Sequence, residues 1–133
     1  MKIVRTGIIL NTEHYDDCLA FYRELFELPI LFQQQYGDFR LTCFEYNGAY
    51  LMLETDGYAK PEGKTIKQSA TKLRFNVASL EEALQKIRDY GITAEINRHD
   101  WGSTIDIFDP DGNRVGIRDE TSFASQIVAS RES

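Results

Sequence analysis

Histidine and cysteine are both scarce in this chain, with two of each in 133 residues. That scarcity limits any metal centre or disulfide framework from the outset. Cys18 and Cys43 have no metal or redox spacing, and each stands at an apolar position of its element, so both read as buried free thiols. His14 and His99 fall in separate loops, and isolated ligands do not make a metal site. No apolar run approaches the length that spans a bilayer, and the one in MKIVRTGIIL is too short for a signal peptide, so the chain reads as cytoplasmic with no membrane partner. A basic excess is lacking too. Fifteen Lys and Arg against 21 Asp and Glu leave a formal net charge of -6, which argues against nucleic acid as the main partner, because its phosphates select a basic face.

What is present is ordinary globular material, 42% hydrophobic, enough to bury one core. It is also duplicated. FEYNGAYLML begins at residue 44 and FDPDGNRVGI at residue 108, an offset of 64, and the two share Phe, an acidic residue, Gly48 or Gly112, and Leu53 or Ile117. Asn47-Gly48 and Asp111-Gly112 both read as tight hairpin turns, since these residue types tolerate positive φ. Upstream of each hairpin stands a short strand followed by a helix. Leu73, Phe75 and Val77 alternate with Lys72, Arg74 and Asn76, as a strand with one buried face requires. Ser79-Leu80-Glu81-Glu82 is a capping box, and Leu80, Ala83, Leu84, Ile87 and Tyr90 follow at helical spacing until Gly91. In the first half Asp16 or Asp17 opens the helix, Leu19, Tyr22, Leu25 and Phe26 form its stripe, and Pro29 ends it.

The predicted fold class is therefore α+β: two βαβββ modules in tandem, forming curved mixed sheets around a cleft with helices on the outer face. Module one covers about 1–56 and module two about 71–120 of a single domain. Residues 57–70, within the Gly- and Lys-rich TDGYAKPEGKTIKQSA, form a linker or mobile lid, and 121–133 a C-terminal tail.

FYRELFELPI, NVASLEEALQKIRDYGI and FDPDGNRVGI, in this order and within a repeat, resemble the vicinal oxygen chelate superfamily of glyoxalases, extradiol dioxygenases, fosfomycin-modifying enzymes and bleomycin resistance proteins. The resemblance covers residues 3–120, and Trp101-Gly102 before the last hairpin is similar to the bleomycin-resistance branch. It implies a small-molecule partner, a homodimer and, in the metal-using members, four ligands from the cleft face. The matching positions here are Arg5, Met52, Lys72 and Gly116. None suits a divalent metal: Arg keeps its proton, charged Lys has no lone pair to give, Gly has no side chain, and a thioether is too soft for hard or borderline ions. Sliding one strand by two residues exchanges Met52 for Glu54 but supplies no second ligand. No metal or other cofactor is expected.

Taking alternate residues, the cleft lining reads Arg5, Gly7 and Ile9; Arg40, Thr42 and Phe44; Tyr50, Met52 and Glu54; Lys72, Arg74 and Asn76; Thr104, Asp106 and Phe108; Arg114, Gly116 and Arg118. Candidate ligand-binding residues are Arg5, Phe44, Met52, Glu54, Lys72, Arg74, Trp101, Phe108, Gly116 and Arg118, a cationic groove with aromatic walls for a carboxylate or phosphate on a partly planar ligand. Two alternatives stand beside this: the charges pair across strands, Glu54 with Arg118 or Asp106 with Arg74, and Trp101 packs at a subunit contact. The functional expectation is a metal-independent small-molecule-binding protein that sequesters or carries a ligand. The alternative is a glyoxalase-like lyase, isomerase or dioxygenase-type enzyme with a divergent site, in which Lys72 acts as base or electrostatic stabiliser. No catalytic set can be assembled from the sequence.

Overall fold

A computed structural model describes residues 1–132. The chain forms two compact units, one of residues 1–63 with Asp109–Gly112, the other of residues 64–108 with Asn113 onward. Each contains a four-stranded mixed sheet, and the duplication predicted from the sequence is visible as matching strand orders. Among the described residues no helix is long and apolar enough to cross a membrane.

In the first unit β1 (Gly7–Asn11) lies parallel to β4 (Ala49–Glu54), followed by β3 (Phe39–Tyr46) and β2 (Ile30–Tyr36), both antiparallel to their neighbours. Helix α1 (Tyr15–Ala20) runs on into a π-helical turn, Phe21–Leu25. Its buried stripe is Tyr15, Cys18, Phe21, Tyr22 and Leu25; the helix begins at Tyr15, ahead of the predicted Asp16 or Asp17, and Leu19 and Phe26 lie outside the fully buried set. The start is displaced because the caps come from elsewhere: Asp111 accepts hydrogen bonds from the backbone N–H groups of Glu13 at 2.7 Å and His14 at 3.0 Å. Tyr22 donates its hydroxyl proton to Asp109 Oδ2 at 2.7 Å.

Those two aspartates mark a difference between the hairpins. Asn47 and Gly48 have φ of 50° and 95°, the two-residue turn expected, with Tyr46 opposite Ala49. In the second half Phe108 pairs with Arg114, so the loop is longer and takes in Asp109–Asn113, with Gly112 alone at positive φ, +82°. The hairpins correspond in topology and differ in turn chemistry. The longer loop frees Asp109 and Asp111 to serve α1.

In the second unit β5 (Lys72–Val77) lies parallel to β8 (Arg114–Asp119), followed by β7 (Gly102–Phe108) and the short β6 (Asn97–His99). Helix α2 (Leu80–Asp89) lies against β7 and β8. Its capping box forms as predicted, Ser79 Oγ accepting from the Glu82 N–H at 3.2 Å, and Gly91 follows its end at φ +102°. Leu80 and Ile87 are buried, whereas Tyr90 is exposed. Residues 121–132, expected as a tail, instead belong to helix α3 (Glu120–Glu132), no residue of which is fully buried.

The joining segment is anchored rather than free. In the first unit the N–H groups of Gly57, Ala59 and Lys60 donate to Thr12 O, Glu13 Oε1 and Asp111 O. In the second, the buried Lys64 ammonium donates to Asn113 Oδ1 at 2.9 Å, and Arg114 donates to the carbonyls of Ser69 and Ala70.

Candidate functional site

Strand register decides which side chains share a face. In the first sheet Phe44 stands opposite Leu51 and Thr42 opposite Leu53, while Met52 stands opposite Cys43 and Ile9, and Glu54 opposite Leu41 and Asn11. Arg40, Thr42 and Phe44 therefore lie on the helix-covered face, not with Met52 and Glu54. Phe44 is 0% exposed and belongs to the core. Thr42 is hydrogen-bonded to the Tyr15 hydroxyl, and Arg40 pairs with Asp16 at 3.0 Å and caps the Tyr15 ring. Assigning Phe44 to the ligand-facing side put β3 out by one residue. The error arises because both parities of FRLTCFEY carry apolar residues, so alternation does not name the buried face. With Arg40 removed, the open face of this sheet presents Ile9, Cys43, Met52, Glu45 and Glu54, with Arg5 near enough to Cys43 for its charge to act on the thiol. Arg5 precedes β1 and is exposed.

The second sheet keeps the expected face. Lys72, Arg74 and Asn76 stand opposite Arg114, Gly116 and Arg118, which stand opposite Phe108, Asp106 and Thr104. At its centre Lys72 Nζ donates to Asp106 Oδ1 at 2.7 Å. Burial alone raises the Asp106 carboxyl, but the hydrogen bond and charge of Lys72, with Arg74 and Thr104 adding to them, outweigh that and hold it below the ordinary value. Glycine at 116 makes this arrangement possible. A Cβ there would stand 3.0 Å from Lys72 Cε, 3.2 Å from Arg74 Nε and 3.4 Å from Asp106 Oδ1. A ligating side chain there would press on an ion pair and a guanidinium, whose ends would have to give by a few tenths of an ångström.

The parallel pairings also revise one equivalence between the halves. Ile9 pairs with Met52 as Arg74 pairs with Gly116, which makes Gly7, not Arg5, the counterpart of Lys72. A Cβ on Gly7 would overlap the Tyr50 ring. The revised set, Gly7, Met52, Lys72 and Gly116, is no better for a metal than the first, having no carboxylate and no imidazole. Among the described residues no group of three or more His, Cys, Asp and Glu is placed to hold an ion. The residues present do not fit the divalent metal of the metal-using members.

Beside this centre, still within the second unit, a cavity of about 550 Å³ is lined by Arg74, Asn76, Trp101, Arg118, Phe123 and Gln126. Arg118 is only 7% exposed. Its guanidinium carbon lies 4.7 Å from the Trp101 ring centre and 5.0 Å from that of Phe123. One terminal nitrogen, Nη2, donates to Trp101 O at 2.9 Å and to Gln126 Oε1 at 3.0 Å. Trp101 is itself stacked on His99, the rings 4.6 Å apart and 4° from parallel. Phe108 stands at the far end of the sheet face, opposite Arg114 and 45% exposed.

Of the ten candidates, the structure thus brings together Lys72, Arg74 and Gly116, and Arg74 with Trp101 and Arg118. Phe44 leaves the set. In the ion-pair alternative Asp106 feels the charge of Arg74, as expected, and is also bonded by Lys72, while Arg118 has neutral acceptors. Phe123 and Gln126 were missed because residues 121–133 read as a tail. A weak signal was there, since Phe123, Gln126 and Ile127 follow the i, i+3, i+4 spacing of one helical face.

Similar folds carry diverse descriptions. Lactoylglutathione lyase from Agrobacterium tumefaciens superposes with a TM-score of 0.66 at 18% identity, over 87% of this chain and 92% of that one. The genomically encoded fosfomycin resistance protein FosX from Listeria monocytogenes gives 0.72 at 14%, over 89% and 94%. TnmS3, an antibiotic binding protein from Streptomyces sp. CB03234, gives 0.68 at 17%, over 90% and 98%. No curated protein matches the chain by sequence. Such identities establish the fold alone, but residues 2–117 match a family directly. With the duplicated βαβββ architecture, that match establishes that the chain belongs to the Glyoxalase/Bleomycin resistance protein/Dioxygenase superfamily.

Proposed function

We propose that this protein is a metal-independent small-molecule-binding member of the superfamily, which sequesters or carries an anionic, partly aromatic ligand on the open face of its second sheet. The observation that carries the reading is the surroundings of Gly116, where Lys72, Asp106 and Arg74 crowd the place of a metal-binding side chain. Cations so placed repel a metal ion and attract an anion. The cavity volume falls in the range of small-molecule pockets, about 300–1,000 Å³, and its lining of two arginines and two aromatic rings suits a planar anion. The fold neighbour described as an antibiotic binding protein gives this mode of action a precedent in the same architecture. A single cytoplasmic domain acting as a homodimer completes the proposal.

The enzyme alternative gains no specific observation. Lys72, its candidate base, has its ammonium engaged by Asp106. The test combines metal analysis of protein purified without chelators with a thermal-shift screen of divalent metals, aromatic carboxylates, organic phosphates and cationic drugs. The expected result is sub-stoichiometric metal and stabilisation by anions. Stoichiometric metal that raises Tm, or stabilisation by cationic drugs alone, overturns the reading.

A further inference from the structure

The Arg118 side chain is in an unusual position for a buried cation. Each of its partners is neutral: the Trp101 carbonyl, the Gln126 amide oxygen and the two ring faces. Among the described residues no carboxylate lies within ion-pairing distance of it. Glu120, the first residue of α3, accepts from Asn76 Nδ2 at 3.0 Å instead. The Arg118 Nε is buried and has no hydrogen-bond partner. An arginine fork binds a carboxylate best through two parallel N–H groups, and here Nη2 is served by two neutral oxygens and Nε by nothing. Two of its neutral partners, Phe123 and Gln126, come from α3, a helix with no fully buried residue.

We propose that Arg118 is the recognition group for a small aromatic carboxylate, and that α3 is a displaceable cap whose Gln126 oxygen and Phe123 ring hold the places of the ligand's carboxylate and arene. This rests on the reading that the open face of the second sheet takes an anion. A carboxylate arriving at Arg118 replaces one amide acceptor by two charged ones and satisfies the orphaned Nε. The arene takes over the ring face that Phe123 gives up and stays within reach of Trp101. Arg74, on the wall of the same cavity, adds a second positive charge. The closed state is disfavoured by an unpaired buried donor, and the start of the cap is held where Asp119 accepts from the Ser122 N–H at 2.8 Å. A competing closed state lowers apparent affinity by the fraction of molecules that are closed.

The experiment is calorimetric titration of the full chain with benzoate, with acetate as the carboxylate lacking a ring, repeated on Gln126→Ala, Arg118→Lys and Arg118→Met. Hydrogen exchange of α3 is followed with and without benzoate. Benzoate is expected to bind and acetate to bind severalfold to about tenfold more weakly, the range that one good aromatic contact is worth. Gln126→Ala is expected to tighten benzoate severalfold by unseating the cap. Arg118→Lys should weaken it although the charge remains, which keeps the proposal testable if Arg118→Met does not fold. Exchange in α3 should rise on binding. Benzoate binding that Gln126→Ala weakens or leaves unchanged, or that leaves α3 exchange unaltered, overturns the cap while the metal-independent reading stands. Absence of benzoate binding overturns this inference alone if other anions stabilise the chain, and the proposed function as well if only metals do.

Discussion

Glycine 116 and phenylalanine 44 show how single positions set the limits of a site. Gly116 is useful for what it leaves room for, a Lys72–Asp106 pair one strand away on each side. Gly116→Glu is expected to break that pair without creating a metal site, since the new carboxylate finds only Asp106 as a second ligand, with the cations Lys72 and Arg74 beside both; calorimetric titration with Mn(II), Ni(II) and Zn(II) checks it. Because the pair is part-exposed, the loss of stability should stay within about 1 kcal/mol for the electrostatic part. Phe44→Ala is the opposite case. Its ring is fully buried, so truncation should cost about 3–5 kcal/mol in urea denaturation and leave ligand affinity per folded molecule unchanged. Its placement was illegible because β3 is apolar on both faces, whereas Lys72, Arg74 and Asn76 alternate cleanly with Leu73, Phe75 and Val77 and were placed correctly. Asp119 supplies a pH dependence. The Ser103 N–H, then the Ser122 hydroxyl and N–H, hold its carboxyl at about 2, below the ordinary 3.8. The stabilisation it gives to the start of α3 is therefore complete above about pH 4 and is lost as pH falls toward 2. Helical circular dichroism should fall over that window, and Asp119→Asn should remove the transition.

Among the elements, the loop Asp109–Asn113 and helix α3 departed most from their sequence reading. The loop shares its Asp-Gly with tight hairpins, but its extra residues answer to a different demand, the unsatisfied N–H groups at the start of α1. Such a demand comes from residues about 97 positions away and leaves no local trace. Gly112 carries the cost of the design: a Cβ there would overlap the Lys60 carbonyl, on backbone already at φ +82°. Gly112→Ala should lower stability by about 2 kcal/mol or more, against a few tenths for substitution at an open, extended position, as measured by denaturant midpoint. Helix α3 was unreadable for another reason. Its apolar residues, Phe123, Ile127 and Val128, are few and remain exposed, so amphipathic pattern, which records burial, had little to record. By contrast α2, with its capping box and buried Leu80 and Ile87, carried a readable signal, although Tyr90 of its stripe is exposed.

For the molecule as a whole, the repeat was the most informative feature of the sequence, since the 64-residue offset pointed to two βαβββ modules, and the two sheets have matching strand orders. Of the two sheets, only the second had a charged face that the alternation made legible. A net charge of -6 concealed a cationic sheet face, because total charge says nothing about which residues share a strand parity. That contrast predicts salt sensitivity: anion affinity at Arg74 and Arg118 should fall as ionic strength rises through the range in which the screening length shrinks from about 30 Å to about 8 Å. Titration in increasing sodium chloride checks it, and binding indifferent to salt would place the ligand elsewhere.

The chain's only tryptophan lies in the second unit and its only two thiols, both buried, lie in the first. Nature has in effect labelled each copy of the repeat with a different optical tag. Indole emission follows one half, a thiol-trapping chromophore the other, and an untouched wild-type sample is enough to learn whether the twin modules melt as one.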